Sequence, residues 1–196
     1  MERISKDKAI KILNQKRISL FSIQDAKKIF KIEKEKTLYE LLQRLEKAEI
    51  IDRIKNGKYI FLFRDVNDFE LANFLVNPSY ISLESALSFY GILPQFPYTI
   101  TSVTILRTKK IIYKEKEYEF CHLEKKYFFG FVKIDKFLIA TPEKALIDEL
   151  YFMSKNLRKI YLKDLDLSLI DKVKFKKLIK KYNFMPFKNL IKKLKI

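Results

Sequence analysis

An α+β fold in two domains is predicted for this chain of 196 residues, and three observations carry the prediction. Residues 5–61 alternate short amphipathic helical patterns with extended pieces and close on an Asn-Gly turn signal. Residues 98–140 hold five β-rich runs separated by short turns containing Lys, Glu and Asp. Residues 175–194 return to helical periodicity, with apolar stripes on otherwise cationic segments. The stretch "RDVNDF" reads as a brief linker, which places a boundary at about residue 66 and gives domains 1–66 and 67–196.

In the first domain, "SKDKAIKILNQKR" offers Ser5 as an N-cap and puts Ala9, Ile10 and Leu13 on one face, so a helix of three turns is expected. A short extended piece, "ISLFS", follows. Ser22 then opens "SIQDAKKIF" with Asp25 three residues on, a near capping box ahead of the stripe Ile23, Ala26 and Phe30. In "EKTLYELLQRLEKAEII", Leu38, Leu41, Leu42 and Leu45 recur at i, i+3, i+4 and i+7, which commits one face to the core. At 100° per residue the opposite face carries Lys36, Glu40, Gln43 and Lys47, flanked by Tyr39 on one side and by Thr37 and Arg44 on the other. Two strands around Asn56-Gly57 then read as a type I′ hairpin, with Arg53, Lys55 and Lys58 near its tip. Helix, short strand, helix, helix and hairpin is the order of a winged helix-turn-helix, whose third helix enters the major groove and whose wing meets the backbone or minor groove. Lys36, Thr37, Tyr39, Gln43, Arg44, Lys47, Arg53, Lys55, Asn56 and Lys58 are therefore the expected DNA-binding residues. Glu40 counts against a simple phosphate-binding face, because a carboxylate there either accepts from a cytosine amino group or repels phosphate.

Composition excludes several classes. Hydrophobic residues at 48% and aromatics at 14% argue against disorder. The apolar runs are too short for a membrane-spanning helix of roughly 20 residues, and "MERISKDKAIKIL" lacks a signal-peptide pattern, so a cytoplasmic protein is expected. Cys121 and His122 are the chain's single cysteine and single histidine. They leave no internal disulfide and no Cys/His metal cluster, and their expected place is a packed strand. No metal or cofactor is expected. The formal net charge of +17 divides unevenly: residues 1–66 carry +7, 67–153 carry −1 and 154–196 carry +11. A neutral middle between two basic ends suggests polyanion contact at both.

The second domain opens with "DFELANFLVNP", a helix ended by Pro78, and continues with "YISLESALSFYGILP". There Ser82 is the expected N-cap and Gly91 the left-handed residue after the helix. The five β-rich runs, "YTITSVTIL", "KKIIYK", "YEFCHL", "YFFGFVKI" and "KFLIA", suggest an antiparallel sheet, since no spacer is long enough for a parallel crossover. "FLIATPEKALIDELYF" places Glu143, Lys144, Asp148 and Glu149 within seven positions. An active site is one reading. The helix-start reading accounts for more: Thr141 as N-cap, Pro142 at N1, Glu143 on the positive end of the helix dipole, and Lys144 with Asp148 as an i, i+4 pair worth about a few tenths of a kcal/mol. No catalytic residue is assigned, and exposed charges on this helix are left to touch a partner. In the tail, Phe175, Leu178, Ile179 and Tyr182 form one stripe and Phe187, Leu190, Ile191 and Leu194 another. Lys174, Lys177, Lys180, Lys181, Lys188 and Lys192 are the candidate polyanion contacts there. Stripes at this spacing face a core rather than a membrane.

"YISLESALSFYGILP", "TSVT", "FFGF" and "ATPEKALIDELY", in that order and after a winged helix, resemble the AbiEi antitoxin family. "FKKLIKKYNFMPFKNLIKKL" is similar to the family's closing helices, although these ends are unusually rich in lysine. The resemblance implies the antitoxin and autorepressor of a type IV toxin-antitoxin system, a class associated with phage defence. It would bind inverted repeats in double-stranded operator DNA and counter a nucleotidyltransferase-like toxin without requiring a stable complex. It implies a fold signature rather than catalysis for "ATPEKALIDELY". The +11 tail could bind RNA as readily as DNA. The alternative is a stand-alone winged-helix regulator whose C-terminal domain binds an effector or a protein.

Overall fold

A computed structural model describes residues 4–194, with the Leu194 side chain outside the described set. The chain divides into two compact units, Met1–Asn67 and Asp68–Ile196. Both mix helices and strands, so the α+β expectation stands.

The first unit runs α1 (Lys6–Gln15), β1 (Leu20–Ser22), α2 (Ile23–Phe30), α3 (Glu35–Lys47), β2 (Ile51–Lys55) and β3 (Lys58–Phe61). Its helix starts follow the local chemistry. Ser5 Oγ accepts from Lys8 N at 3.2 Å, and Ser22 forms a complete capping box with Asp25. The three strands pair antiparallel in the order β1-β3-β2. Leu38, Leu41, Leu42 and Leu45 of α3 are buried with Leu13, Phe21, Phe30 and Phe61, so the leucine stripe closes the core over the sheet. The hairpin departs from expectation. A type I′ turn needs positive φ at both central residues, whereas at Asn56-Gly57 only Gly57 (φ 74°) has it. A register shift between Arg53 and Lys55 absorbs the difference.

The second unit contains α4 (Asp68–Leu75), β4 (Ser79–Ile81), α5 (Leu83–Phe89), β5 (Ile100–Thr104), β6 (Lys109–Tyr113), β7 (Lys116–His122), β8 (Phe131–Ile134), β9 (Phe137–Ala140), α6 (Pro142–Ser154), α7 (Lys172–Ile179) and α8 (Met185–Leu194). The run "YFFGFVKI" is a strand only over Phe131–Ile134, and its first residue closes a 3-10 turn, Lys125–Tyr127. The sheet has six strands in the order β6-β7-β5-β4-β9-β8 and is mixed, not antiparallel: β4 pairs parallel with β9 and β5 with β7. The argument from spacer length fails for two physical reasons. Strand β6 is itself the return leg that lets β7 slot in parallel to β5, and β4, a three-residue piece between two expected helices, meets β9 across 55 residues of intervening chain.

Successive side chains of β4 show how the sheet is covered. Ser79 Oγ accepts from Asn73 of α4 at 3.5 Å, while the next residue, Tyr80, bonds to Asp148 of α6, so α4 and α6 cover opposite faces. At the first residue of α5 the fully buried Leu83 takes φ 60°, a left-handed conformation that costs roughly 1–2 kcal/mol for such a residue. At the far end of α5, Gly91 (φ 74°) ends the helix as expected, with Ile92 N donating to Leu87 O at 2.9 Å. The tail packs by its aromatics: Tyr182 stacks on Tyr127 with centroids 4.3 Å apart and, like Phe175 and Phe187, is buried. Leu178, Ile179, Leu190 and Ile191 are half-buried.

Candidate functional site

The outward face of α3 is open. Lys36, Thr37, Tyr39, Glu40, Gln43 and Lys47 are all exposed, while the leucines behind them fix the helix. The end of α2 is joined to the start of α3 by an ion pair, Lys27 Nζ to Glu35 Oε1 at 2.8 Å. Arg44 is the exception. It is half-buried, its Nη2 donates to Ile4 O at 3.1 Å, and its Nε has no partner among the described atoms. It lies at the margin of the leucine stripe, where its guanidinium reaches the backbone ahead of α1 instead of projecting with Gln43.

Arg53, Lys55 and Asn56 on the hairpin are exposed and Lys58 is half-buried. Arg53 Nη2 donates to Asn56 Oδ1 at 2.9 Å, which holds the guanidinium against the turn. The tip does not project freely. Ile23 N, at the start of α2, donates to Gly57 O at 2.9 Å, so the turn is tied to the helix that precedes the exposed one. Tyr59 links the two surfaces: burial raises its phenol above the usual range, Arg53 pulls it back, and Glu46 and Tyr39 raise it further. Groups of α3 and of the hairpin thus share one electrostatic neighbourhood.

In the tail, Lys174, Lys177, Lys180, Lys181, Lys188 and Lys192 are all exposed. Lys174 pairs with Asp171 at 3.5 Å, Lys188 Nζ donates to Asn183 Oδ1 at 2.9 Å, and Lys181 sits 4.5 Å from the Phe129 ring centroid. Packing of the tail therefore presents these six cations outward.

The charges of "PEKALIDEL" are not exposed, contrary to expectation: Lys144, Asp148 and Glu149 have no exposed surface and Glu143 retains 5%. Lys144 is ion-paired with Asp148, and its ammonium also donates to Tyr80 Oη at 3.0 Å. Asp148 Oδ2 accepts from Tyr80 Oη at 2.9 Å and Ser82 Oγ at 2.8 Å, and Oδ1 accepts from Tyr182 Oη at 3.4 Å. The phenyl ring of Phe129 lies 5.3 Å from the ammonium. Burial drives the Lys144 ammonium down and Asp148 opposes that change; burial and the same carboxylate drive the Tyr80 and Tyr182 phenols up. Thr141 caps α6 as expected, accepting from Lys144 N at 3.4 Å, and Pro142 occupies its first turn. Ser82 stands at the N-cap of α5 as expected, but its hydroxyl is spent on Asp148 and makes no capping hydrogen bond.

No protein-family model matches the chain, and no curated protein matches it. The residues that reasoning from sequence passed over are Tyr80, Ser82 and Tyr182. They lie 34 to 68 positions from Asp148, and no local spacing announces them. The available signal is weak: a helix with Lys, Asp and Glu among Ala145, Leu146, Ile147, Leu150 and Phe152 leaves little polar face for water.

Proposed function

We propose that this chain is a DNA-binding repressor that doubles as the antitoxin of a type IV toxin-antitoxin pair. The observation that carries the DNA-binding half is the exposed face of α3, with Thr37, Tyr39 and Gln43, beside the cationic hairpin of Arg53, Lys55 and Lys58. The element order of the first unit, with β1 pairing β3, supports reading it as a winged helix that inserts α3 into the major groove. The +11 tail supplies a second polyanion surface, for operator DNA or for an RNA linked to the toxin's action. The antitoxin half rests on the motif resemblance, which names a nucleotidyltransferase-like toxin as the functional partner and inverted repeats as the operator. No helix among the described residues is long and apolar enough to cross a membrane, and the reading places the protein in the cytoplasm.

Titrating the protein against DNA from upstream of its own gene, at several salt concentrations, tests the first half. Specific binding with a steep salt dependence is expected, and equal affinity for random DNA would remove the repressor. Co-expression with the product of the neighbouring gene tests the second half. Growth rescued by this chain supports the antitoxin, and rescue by neither the full chain nor its C-terminal unit leaves a stand-alone regulator.

A further inference from the structure

A second polar group, half-buried and not used by the proposed function, gathers just beyond α6. Arg158, just beyond α6, donates from Nη1 to Glu84 of α5 at 2.6 Å and from Nη2 to Glu119 of β7 at 2.5 Å, and Nη2 also reaches Cys121 Sγ at 3.3 Å. Glu149 of α6 interacts electrostatically with Glu84, Arg158 and Glu119 but hydrogen-bonds to none of them. Its side chain has no exposed surface, and neither carboxylate oxygen has a partner among the described atoms; Glu84 Oε2 is likewise buried and unpartnered.

The charge count leaves Glu149 out. Arg158 is ion-paired with both Glu84 and Glu119, which engage its two terminal nitrogens, while Lys110, opposite Glu119 across β6 and β7, also interacts with that carboxylate. On its own helix Glu149 is next to Asp148, whose charge is already answered by Lys144. An ionised Glu149 would therefore be a buried anion repelled by Glu84, Glu119 and Asp148 and attracted only by an Arg158 already shared between two carboxylates, a costly state for a carboxyl group. As the neutral acid it has a proton to donate, and Glu84 Oε2 is a buried acceptor in need of one. Among the described residues no three His, Cys, Asp or Glu are placed to hold a metal ion.

We propose that the packing of α5 against α6 is a pH-sensitive latch, closed while Glu149 carries a proton and loosened when that proton passes to solvent. Burial, with the Glu84 carboxylate as the next largest influence and Arg158 opposing, raises Glu149 to about 8, in line with the geometry. The sign follows from linkage. A carboxyl raised in the folded state gives stability that is complete below its unfolded value near 4.5 and is lost as the pH rises through about 8. The inference does not depend on the DNA-binding or antitoxin reading, and its experiment needs neither ligand.

The test is native-state hydrogen exchange on the full chain, read on the peptide covering 142–154 and corrected for the intrinsic pH dependence of exchange. In the unaltered protein the opening constant should rise by up to about tenfold per pH unit between pH 6 and 8, then level off. In Glu149→Gln, which keeps the shape and cannot ionise, it should stay within about twofold of its pH 6 value across that range. Parallel pH profiles for the two proteins would overturn the latch. So would a Glu149→Gln chain that is less protected than the parent at pH 6 or fails to fold, since either shows that the carboxylate itself is needed.

Discussion

At the scale of single residues, burial decides what a charge is worth. Lys144 and Asp148 at i, i+4 on an exposed helix would contribute about a few tenths of a kcal/mol. With no exposed surface on either and three hydroxyls converging on the carboxylate, removing the ammonium strands a buried anion. Lys144→Ala is therefore expected to lower the unfolding free energy of the second unit by about 3 to 5 kcal/mol. Thr141→Ala, which removes only a cap, should cost about 1 kcal/mol. Calorimetry on the two variants checks the ratio; equal losses would mean that water reaches the pair. Arg44 and Gln43 separate in the same way. Gln43→Ala should lose about 1 to 3 kcal/mol on operator DNA selectively if it reads a base. Arg44→Ala should instead destabilise the first unit through the Ile4 carbonyl, and a thermal melt without DNA detects that.

At the scale of elements, the hairpin and the mixed sheet mark where local pattern stops being informative. Replacing Arg53, Lys55 and Lys58 together should flatten the slope of log K against log salt by roughly 2 to 3 units, measured by titration with operator DNA. An unchanged slope would move the footprint off the hairpin. Gly57→Ala offers a control on the turn. An added Cβ would meet Ile23 Cδ1 at 3.6 Å, an ordinary contact, so the expected loss of about 1 to 2 kcal/mol comes from the backbone at φ 74° and not from a clash. The helices of the first unit were legible because capping and periodicity are local: Ser5, Ser22 with Asp25, and the four leucines of α3 each act within about two turns of chain. Turn type was legible only in part. Both residues of a left-handed pair occur at Lys114 (φ 45°) and Glu115 (φ 67°), a sequence with no propensity for it, where Tyr98 Oη secures the turn by donating to Glu115 O at 2.9 Å. Strand β4 was not legible because Ser79–Ile81 has three residues, and its partners, β5 and β9, come later in the chain.

At the scale of the whole molecule, each unit carries its own buried core, with Phe21, Leu41, Leu42 and Phe61 in the first and Tyr80, Ile139, Leu146 and Tyr151 in the second. Fragments 1–67 and 68–196 should each unfold cooperatively, and on the proposed function repression and protection should part with them. The N-terminal fragment should bind operator DNA more weakly than the full chain, because it lacks the +11 tail. Protection retained by that fragment alone would reduce antitoxicity to transcriptional silencing. The exposed face of α3 in the first unit was readable from spacing, since a helix places residues on a face by arithmetic. The buried cluster of the second unit was not, because Tyr80, Ser82 and Tyr182 reach Asp148 only once the sheet and the tail have assembled.

The buried ion pair also sets how this stretch of chain can change over generations. Gly130 lies so close to Lys144 that an added Cβ would stand 3.1 Å from the lysine Cγ, so even a methyl group there presses on the stem that delivers the ammonium. A lineage that gave up Lys144 alone would pass through an intermediate weaker by about 3 to 5 kcal/mol, a large part of a domain's whole stability. Lys144 and Asp148 should therefore be kept or exchanged together, and Gly130, whose φ of 76° strains any residue with a Cβ, should be kept even in descendants that have lost the lysine. A collection of diverged descendants in which Lys144 and Asp148 vary independently would show that selection does not feel the pair.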